Sequence, residues 1–366
     1  MLFETANAVR YRPDVEHDEA AEEATAKMVC ETMRGICEKT FADGGHPLRA
    51  VHAKSHGLLE GELEVDSDIA PALAQGLFAK PGRYPVVMRF STIPGDVLDD
   101  SVSVPRGLAL KVIGVEGERL PGSEGDVTQD FVLVNGPAFN SPNLKVFGAN
   151  MKQLAATTDK AEWAKKAFSG VAQVIEAGIE ALGGESVTLT TLGGQAETHV
   201  LGETYYSQSA FRWGDHIAKV SVTPVSDGLR ALKDKHVPVK GRPNGLREAV
   251  IEHFASQGGE WDVRVQLCTD LGDMPIENPH KQWDEDKSPY LPVGRITVKP
   301  QTAWSEDRSR AVDDGMAFSV WHGLAAHQPL GSVNRARKRA YDMSARFRAE
   351  HGGVSVVEPR EAPGLP

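Results

Sequence analysis

Cysteine is scarce in this 366-residue chain, which holds only Cys30, Cys37 and Cys268, without a Cys-x-x-Cys spacing. An odd total at such spacings argues against a disulfide framework, and the thiols are expected as buried small hydrophobes of a reducing compartment. Cys30 and Cys37, two helical turns apart, could touch along one helix face. Long apolar runs are missing too: no stretch of about 18 apolar residues occurs, so no membrane span is expected. The start, Met1-Leu2-Phe3-Glu4-Thr5-Ala6-Asn7, lacks a basic segment followed by an apolar one, which predicts a cytoplasmic protein. Positive charge is in deficit, with 40 Lys and Arg against 51 Asp and Glu, a net charge of -11. Such a chain is no candidate for a nucleic-acid surface. No internal repeat, low-complexity tract or linker interrupts it.

What is present is an ordinary globular balance, 40% hydrophobic and 25% charged, enough for a sizeable core. Residues 19–40 carry Ala21, Ala24, Met28 and Ile36 at helical spacing with acids at the start, the pattern of an amphipathic helix. After Gly44-Gly45 the pattern becomes strand-like in Leu58–Val65, Val86–Phe90, Leu108–Val112 and Phe131–Val134. Helical periodicity returns from about Asn143 to Leu182. Strand-like runs follow at Ile217–Val225, Trp261–Cys268 and Val293–Val298. Blocks of strands and helices, rather than alternation, predict an α+β fold built round one antiparallel sheet or barrel.

Against the acidic whole, one segment is strongly basic: Arg337-Lys338-Arg339-Ala340-Tyr341-Asp342-Met343-Ser344-Ala345-Arg346-Phe347-Arg348. Alone it is an amphipathic helix with a solvated charged face. Yet Tyr341 has an arginine four positions before it and others five and seven after, a positive potential that favours a phenolate. A phenolate suits ferric iron, and tyrosine is the axial ligand of catalase haem. In Arg49-Ala50-Val51-His52-Ala53-Lys54-Ser55-His56, a histidine among small and apolar neighbours suits proton transfer near neutral pH. His52 and His56 at i, i+4 spacing leave a zinc reading open, although the segment is not helical and no third ligand is evident. Arg89-Phe90-Ser91-Thr92 ends an apolar strand in an arginine that needs an anionic partner. Asn135-Gly136-Pro137 makes an ordinary turn.

Taken in order, Arg-x-Val-His-Ala-Lys, Arg-Phe-Ser-Thr, Pro105-Arg106-Gly107, Asn-x-Pro and Arg-x-x-x-Tyr-x-x-Ser-x-Arg-x-Arg resemble the haem catalase superfamily from about residue 46 to 350. Leu291-Pro292-Val293-Gly294-Arg295 and Ala317-Phe318 add to the resemblance. It implies a catalase-like antiparallel β-barrel of about eight strands, with a helical insertion and a C-terminal proximal haem helix. Residues 1–45 would form a helical arm and 46–366 a single haem-binding core domain. The resemblance makes His52 the distal acid–base residue, Val51 its apolar neighbour, Ser91 the hydroxyl that orients it, and Asn135 the peroxide-binding asparagine. A different alignment would put Asp126 in that last place. Tyr341 would ligate the iron of haem, haem b by expectation. Arg337 would keep Tyr341 ionised, and Arg49, Arg89 and Arg348 would grip the propionates.

The chain ends 25 residues after Tyr341, and Asp342-Met343 stands where familiar catalases have Pro-Asp. These departures resemble the minimal catalase-like proteins, without the C-terminal helical and flavodoxin-like domains. The implied activity is a catalase-related peroxidase. It would reduce organic hydroperoxides or dismutate hydrogen peroxide through an oxoferryl state, with an unidentified electron donor and a homo-oligomeric assembly, a dimer or tetramer. Rearrangement of fatty-acid hydroperoxides, as in allene oxide synthase, and non-catalytic haem binding are the alternatives; Val51 speaks against the first, since coral allene oxide synthase has threonine there.

Overall fold

The computed structural model describes residues 7–18, 20–157 and 195–366. The strands are β1 (Ser55–Val65), β2 (Gly82–Thr92), β3 (Arg106–Ile113), β4 (Thr128–Val134), β5 (Tyr205–Tyr206), β6 (Phe211–Trp213), β7 (His216–Pro224), β8 (Gly259–Leu267) and β9 (Leu291–Val298). Every pairing is antiparallel, and the order β1-β2-β3-β4-β5-β7-β8-β9 returns to β1. Leu63 faces Ile296 across one seam and Tyr205 faces Val222 across the other. The result is a closed eight-stranded antiparallel barrel in an α+β fold, with β6 paired on the flank of β7. Closure removes the exposed edges that an open sheet would leave.

Alternation along the strands explains the barrel's inside. Leu59, Leu63 and Val65 of β1 point into the core, while Glu60, Glu62 and Glu64 lie on the other face. Gly61 belongs to the inward set, and a Cβ there would meet the Thr297 carbonyl at 2.8 Å, so its absence lets β1 approach β9. Val86, Met88, Phe90, Leu108, Leu110, Val112, Phe131 and Leu133 continue the core through β2, β3 and β4. Phe90 meets Tyr205 edge to face at 5.6 Å.

The outer face of the same strands is also covered. Leu58, Val87, Ala109 and Ile113 pack under Val312, Met316, Phe318 and Leu365. Strands buried on both faces read as continuous apolar runs, which is why β2 and β3 stand out in the sequence. Beneath this cover, Lys111 is fully buried, with Nζ 2.8 Å from Asp130 Oδ1 and 2.6 Å from Glu358 Oε2. Burial alone would raise the Glu358 carboxyl, but Lys111 and His322 beside it pull it down to about 2.

The longer helices are α1 (Glu22–Gly44), α2 (Leu144–Thr157), α3 (Gly245–Phe254) and α4 (Ser332–His351). The helix expected over 19–40 is α1; it ends at Gly45, whose φ of 69° is left-handed and whose N–H reaches the Phe41 carbonyl at 2.8 Å. The helical stretch expected to run to Leu182 is seen as α2, and its remainder lies outside the described residues. Val29, Met33 and Ile36 of α1 pack with Leu144 and Met151 of α2 and with Ala336, Ala340, Met343 and Phe347 of α4. Charge sets the pairing: Arg335 of α4 bonds Glu22 at 2.7 Å, Glu16 at 2.7 Å and Glu277 at 3.0 Å, and Arg339 bonds Glu23. The acidic start of α1 thus has the basic face of α4 as its partner.

Glu358→Ala should lower stability by about 2 kcal/mol, the worth of a buried hydrogen bond to a charge, because Lys111 keeps only Asp130. Urea unfolding checks it; an unchanged midpoint would show that Asp130 alone satisfies Lys111.

Candidate functional site

A cavity of 510 Å³ lies outside the barrel, between β4 with the residues next to the ends of β2 and β3, Ile93 and Pro105, and helices α1, α2 and α4. Val132, Val134 and Asn135 line it from the strand side, and Val29, Met33, Phe147 and Met151 from α1 and α2. Arg49, Val51 and His52 come from the segment before β1, and Arg337, Tyr341 and Arg348 from one face of α4. This volume falls in the range of ligand pockets, about 300–1,000 Å³, and the lining is mostly apolar, with a few polar groups that converge on it.

His52 has a left-handed backbone, φ 57°, which a histidine holds only under constraint. Its N–H donates to the Ile93 carbonyl at 2.7 Å, and its own carbonyl accepts from Arg89 Nη2 at 2.8 Å. The ring Nδ1 lies 3.1 Å from Ser91 Oγ. Gly107 sits beneath the ring: a Cβ there would fall 2.4 Å from His52 Cε1 and 2.6 Å from Nδ1. The glycine of the Pro-Arg-Gly motif therefore makes room for the imidazole. Burial, then the charges of Arg89, Arg337 and Arg49, push the His52 pKa down to about 3, so the ring is neutral at pH 7.

On α4, Arg337 Nη2 donates to the Tyr341 hydroxyl oxygen at 2.7 Å, and Nη1 donates to Asn334 Oδ1 at 3.1 Å. The i, i+4 spacing brings the pair together on one helix face. Asn334 is itself fixed, with Nδ2 donating to the Ala210 and Leu330 carbonyls and its own carbonyl accepting from Trp321 Nε1 at 2.8 Å. Sequence reasoning missed Asn334, although an amide one turn before an arginine was the available signal.

The three remaining arginines converge on residues 312–316. Arg89, 2% exposed, donates Nε to Asp313 Oδ1 at 2.6 Å. Arg49 Nη2 reaches the carbonyls of Val312, Asp313 and Met316, and Arg348 reaches those of Asp313, Asp314 and Met316. Arg49 Nε and Arg348 Nε are buried without a hydrogen-bond partner. Burial and the Arg89 charge lower the Arg348 pKa to about 10. Asp313, absent from the sequence reading, has a carboxyl that burial would raise but Arg89 and Arg49 hold below the ordinary value.

Asn135 lines the cavity, whereas Asp126 lies in the turn before β4, where its N–H reaches the Ser123 carbonyl, and is not among the lining residues. The Asn135 Oδ1 accepts from the Arg106 backbone N–H at 2.8 Å, and its Nδ2 donates to Glu203 Oε2 at 2.5 Å. His56 belongs to a different network: Nε2 is 3.3 Å from Thr92 Oγ1, beside the buried Lys54–Asp100 pair. Among the described residues no group of three or more His, Cys, Asp or Glu could hold a metal ion. Cys30, Cys37 and Cys268 are free thiols, and no described helix is long and apolar enough to cross a membrane.

No protein-family model matches the chain, and no curated protein does. Solved structures do match. A fungal catalase superimposes with a TM-score of 0.60 at 18% identity, over 87% of this chain and 65% of that one. Catalase A from Saccharomyces cerevisiae gives 0.59 at 18% identity, over 85% and 63%. The fold is that of the catalases. A bacterial catalase gives 0.58 at 17% identity, over 85% of this chain and 59% of that one. The chain thus spans less than two thirds of the length of these catalases. At such identities the likeness concerns the catalase fold alone, and the chemistry rests on the cavity.

Besides His52, burial holds His327 at about 3, and burial with the His253 charge holds His199 at about 4. All three lie below the unfolded value of about 6.5, so the unfolded chain takes up protons first as pH falls. Their contribution is complete above about pH 6.5 and is lost as pH falls from there to about 3 for His52 and His327 and to about 4 for His199, by ~1.4 kcal/mol per pH unit for each histidine. Urea midpoints should fall from pH 7 to pH 4.5, and less steeply in His327→Gln; equal slopes would contradict it. Gly107→Ala should displace the His52 ring, visible as a changed histidine resonance in NMR; an unmoved resonance would mean that the strand gives way instead.

Proposed function

We propose that this chain is a haem-dependent peroxide-decomposing enzyme, a catalase-related peroxidase that reduces organic hydroperoxides, dismutates hydrogen peroxide, or does both. The observation that carries the reading is that the His52–Ser91 pair and the Arg337–Tyr341 pair open on one 510 Å³ cavity. The catalase fold of the solved neighbours supports it. So does the donor set. A phenol oxygen that accepts from a guanidinium is suited to ligate iron as phenolate. Arg49 and Arg348 each bring a buried, unpartnered Nε, which the two propionates of a haem would satisfy.

Tyr341 would hold the iron through its phenol oxygen, Arg337 would hold its charge, and Arg49, Arg89 and Arg348 would be the arginines about the propionates. When bound, the haem supplies the electrons and the Lewis acid that O–O cleavage requires. The protein's share is proton movement and placement. Ser91 engages Nδ1 of His52, which leaves Nε2 to take a proton from one peroxide oxygen and return it to the other. Neutrality at working pH is what this step requires, and burial provides it. Asn135 offers an Nδ2 hydrogen to peroxide. Val51, Val132, Val134 and Phe147 give the site an apolar wall that would accept the carbon skeleton of an organic hydroperoxide.

The protein loaded with haem should show a high-spin ferric spectrum without histidine-ligand features. His52→Ala should leave the Soret band in place and reduce turnover by about 10²–10⁴-fold. Undiminished turnover would end the assigned role. Tyr341→Phe should abolish the ferric tyrosinate spectrum; an unaltered spectrum would contradict the ligand assignment. Oxygen evolution from hydrogen peroxide marks dismutation, alcohol from cumene hydroperoxide marks peroxidation, and an epoxide or aldehyde marks rearrangement.

A further inference from the structure

We propose that Glu203 is a positioning residue for Asn135, fixing its amide so that one Nδ2 hydrogen faces the cavity; this rests on the reading of the cavity as a peroxide site.

The argument starts from what each partner is able to do. The Arg106 backbone N–H is a donor only, so the Asn135 atom 2.8 Å from it has to be the carbonyl oxygen Oδ1. The Asn135 N–H in turn donates to the Arg106 carbonyl at 3.0 Å, which pins the backbone at the same place. With Oδ1 committed there, Nδ2 points toward Glu203, and Oε2 accepts one of its two hydrogens at 2.5 Å. Among the described residues no protein acceptor takes the other, and Asn135 lines the cavity. Without Glu203 the amide could swing about its last bond, which is a soft rotation.

Glu203 is itself held. Thr198 Oγ1 donates to Oε1 at 2.7 Å, and Arg106 Nη1 lies 3.5 Å from the same oxygen. Every polar neighbour so placed is a donor, the arrangement that suits an ionised carboxylate, an acceptor only. Arg106 is 1% exposed, with Nε and Nη1 lacking hydrogen bonds, so its charge has Glu203 as the adjacent anion. Arg106 thus serves twice, by its backbone on Oδ1 and by its charge on the carboxylate that receives Nδ2. Burial raises the Glu203 pKa, while Arg106, Thr198 and Asn135 act against that rise.

The test is a double-mutant cycle on the haem-loaded protein, with cyanide affinity read by absorption and cumene hydroperoxide turnover by kcat/KM. Asn135→Ala and Glu203→Ala should each lower both by about tenfold, and the double variant should lose about tenfold, not a hundredfold, because the two act as one unit. Additive losses would overturn the proposal. Glu203→Gln keeps an acceptor for Nδ2 and should stay within about threefold of the parent; a loss as large as in Glu203→Ala would show that charge, not the hydrogen bond, matters. Since Glu203→Ala leaves Arg106 buried without its anion and risks folding, the glutamine variant carries the test if the alanine protein is insoluble. A crystal structure of a Glu203 variant gives an answer that needs no haem: in Glu203→Ala the Asn135 amide should turn, and an unmoved amide would refute the idea. Absence of any Soret band in the parent protein would instead refute the haem reading, a separate failure.

Discussion

The Arg89–Asp313 pair holds the functional half of the molecule together. Arg89 is an outward residue of β2, 2% exposed, and an unpaired guanidinium there would be prohibitively costly. Its Nε goes to Asp313 Oδ1, and Ser55 and Ser309 donate to Oδ2 at 2.7 and 2.8 Å. The hydrogens on Nη2 go to the carbonyls of His52 and Ala53. One ion pair thereby joins the barrel, the 305–316 segment and the left-handed turn that presents the imidazole. Removing either partner would strand a buried charge, a loss of about 3–5 kcal/mol, and release the strained turn as well.

The same guanidinium groups act on the cavity at a distance. Arg49, Arg89 and Arg348 gather about Asp313, with Asp314 acting on Arg49 and Arg348, so positive charge is in surplus, and the Nε atoms of Arg49 and Arg348 lack partners. Carboxylates would relieve that surplus, and until it is relieved it weighs against a proton on His52. Anion recognition on one side of the cavity and a deprotonated imidazole on the other are then two results of one charge distribution. A ligand that brings carboxylates should raise the His52 pKa from about 3 toward its ordinary value while leaving it neutral at pH 7.

The parts of this arrangement legible in the sequence are those whose partners lie close along the chain. Arg337 and Tyr341 are one helical turn apart, and β1 to β4 and β7 to β9 carry apolar runs long enough to register. The strand pairs Tyr205–Tyr206 and Phe211–Trp213 are too short for any periodicity, yet Tyr205–Tyr206 closes the barrel. Asp313 was illegible because the arginine that gives it meaning lies 224 positions away. Arg89 was seen to need an anion, and the structure supplies a protein carboxylate as its immediate partner. Gly107 could be read as part of a motif, but the reason for it, an imidazole against its Cα, required the turn at His52.

Placing the cavity on the outside of the barrel separates two demands that otherwise conflict. The inward residues of β2, β3 and β4 pack the core, and a change there is felt throughout a close-packed interior. Of the outward residues of the same strands, which are not members of that core cluster, Val132 and Val134 line the pocket, and Arg89, Ser91 and Gly107 hold the His52 turn and ring that do. A period of two therefore assigns alternate residues of one strand to stability and to chemistry. The helical side has no such division, because Val29, Met33, Ala336 and Ala340 both line the cavity and form the α1–α4 contact. Enlarging the cavity from the helices must loosen that contact, whereas reshaping it from the strands need not. Variation in what the site accepts is thus cheapest at Val132 and Val134, where side-chain volume changes against a wall that the barrel keeps rigid.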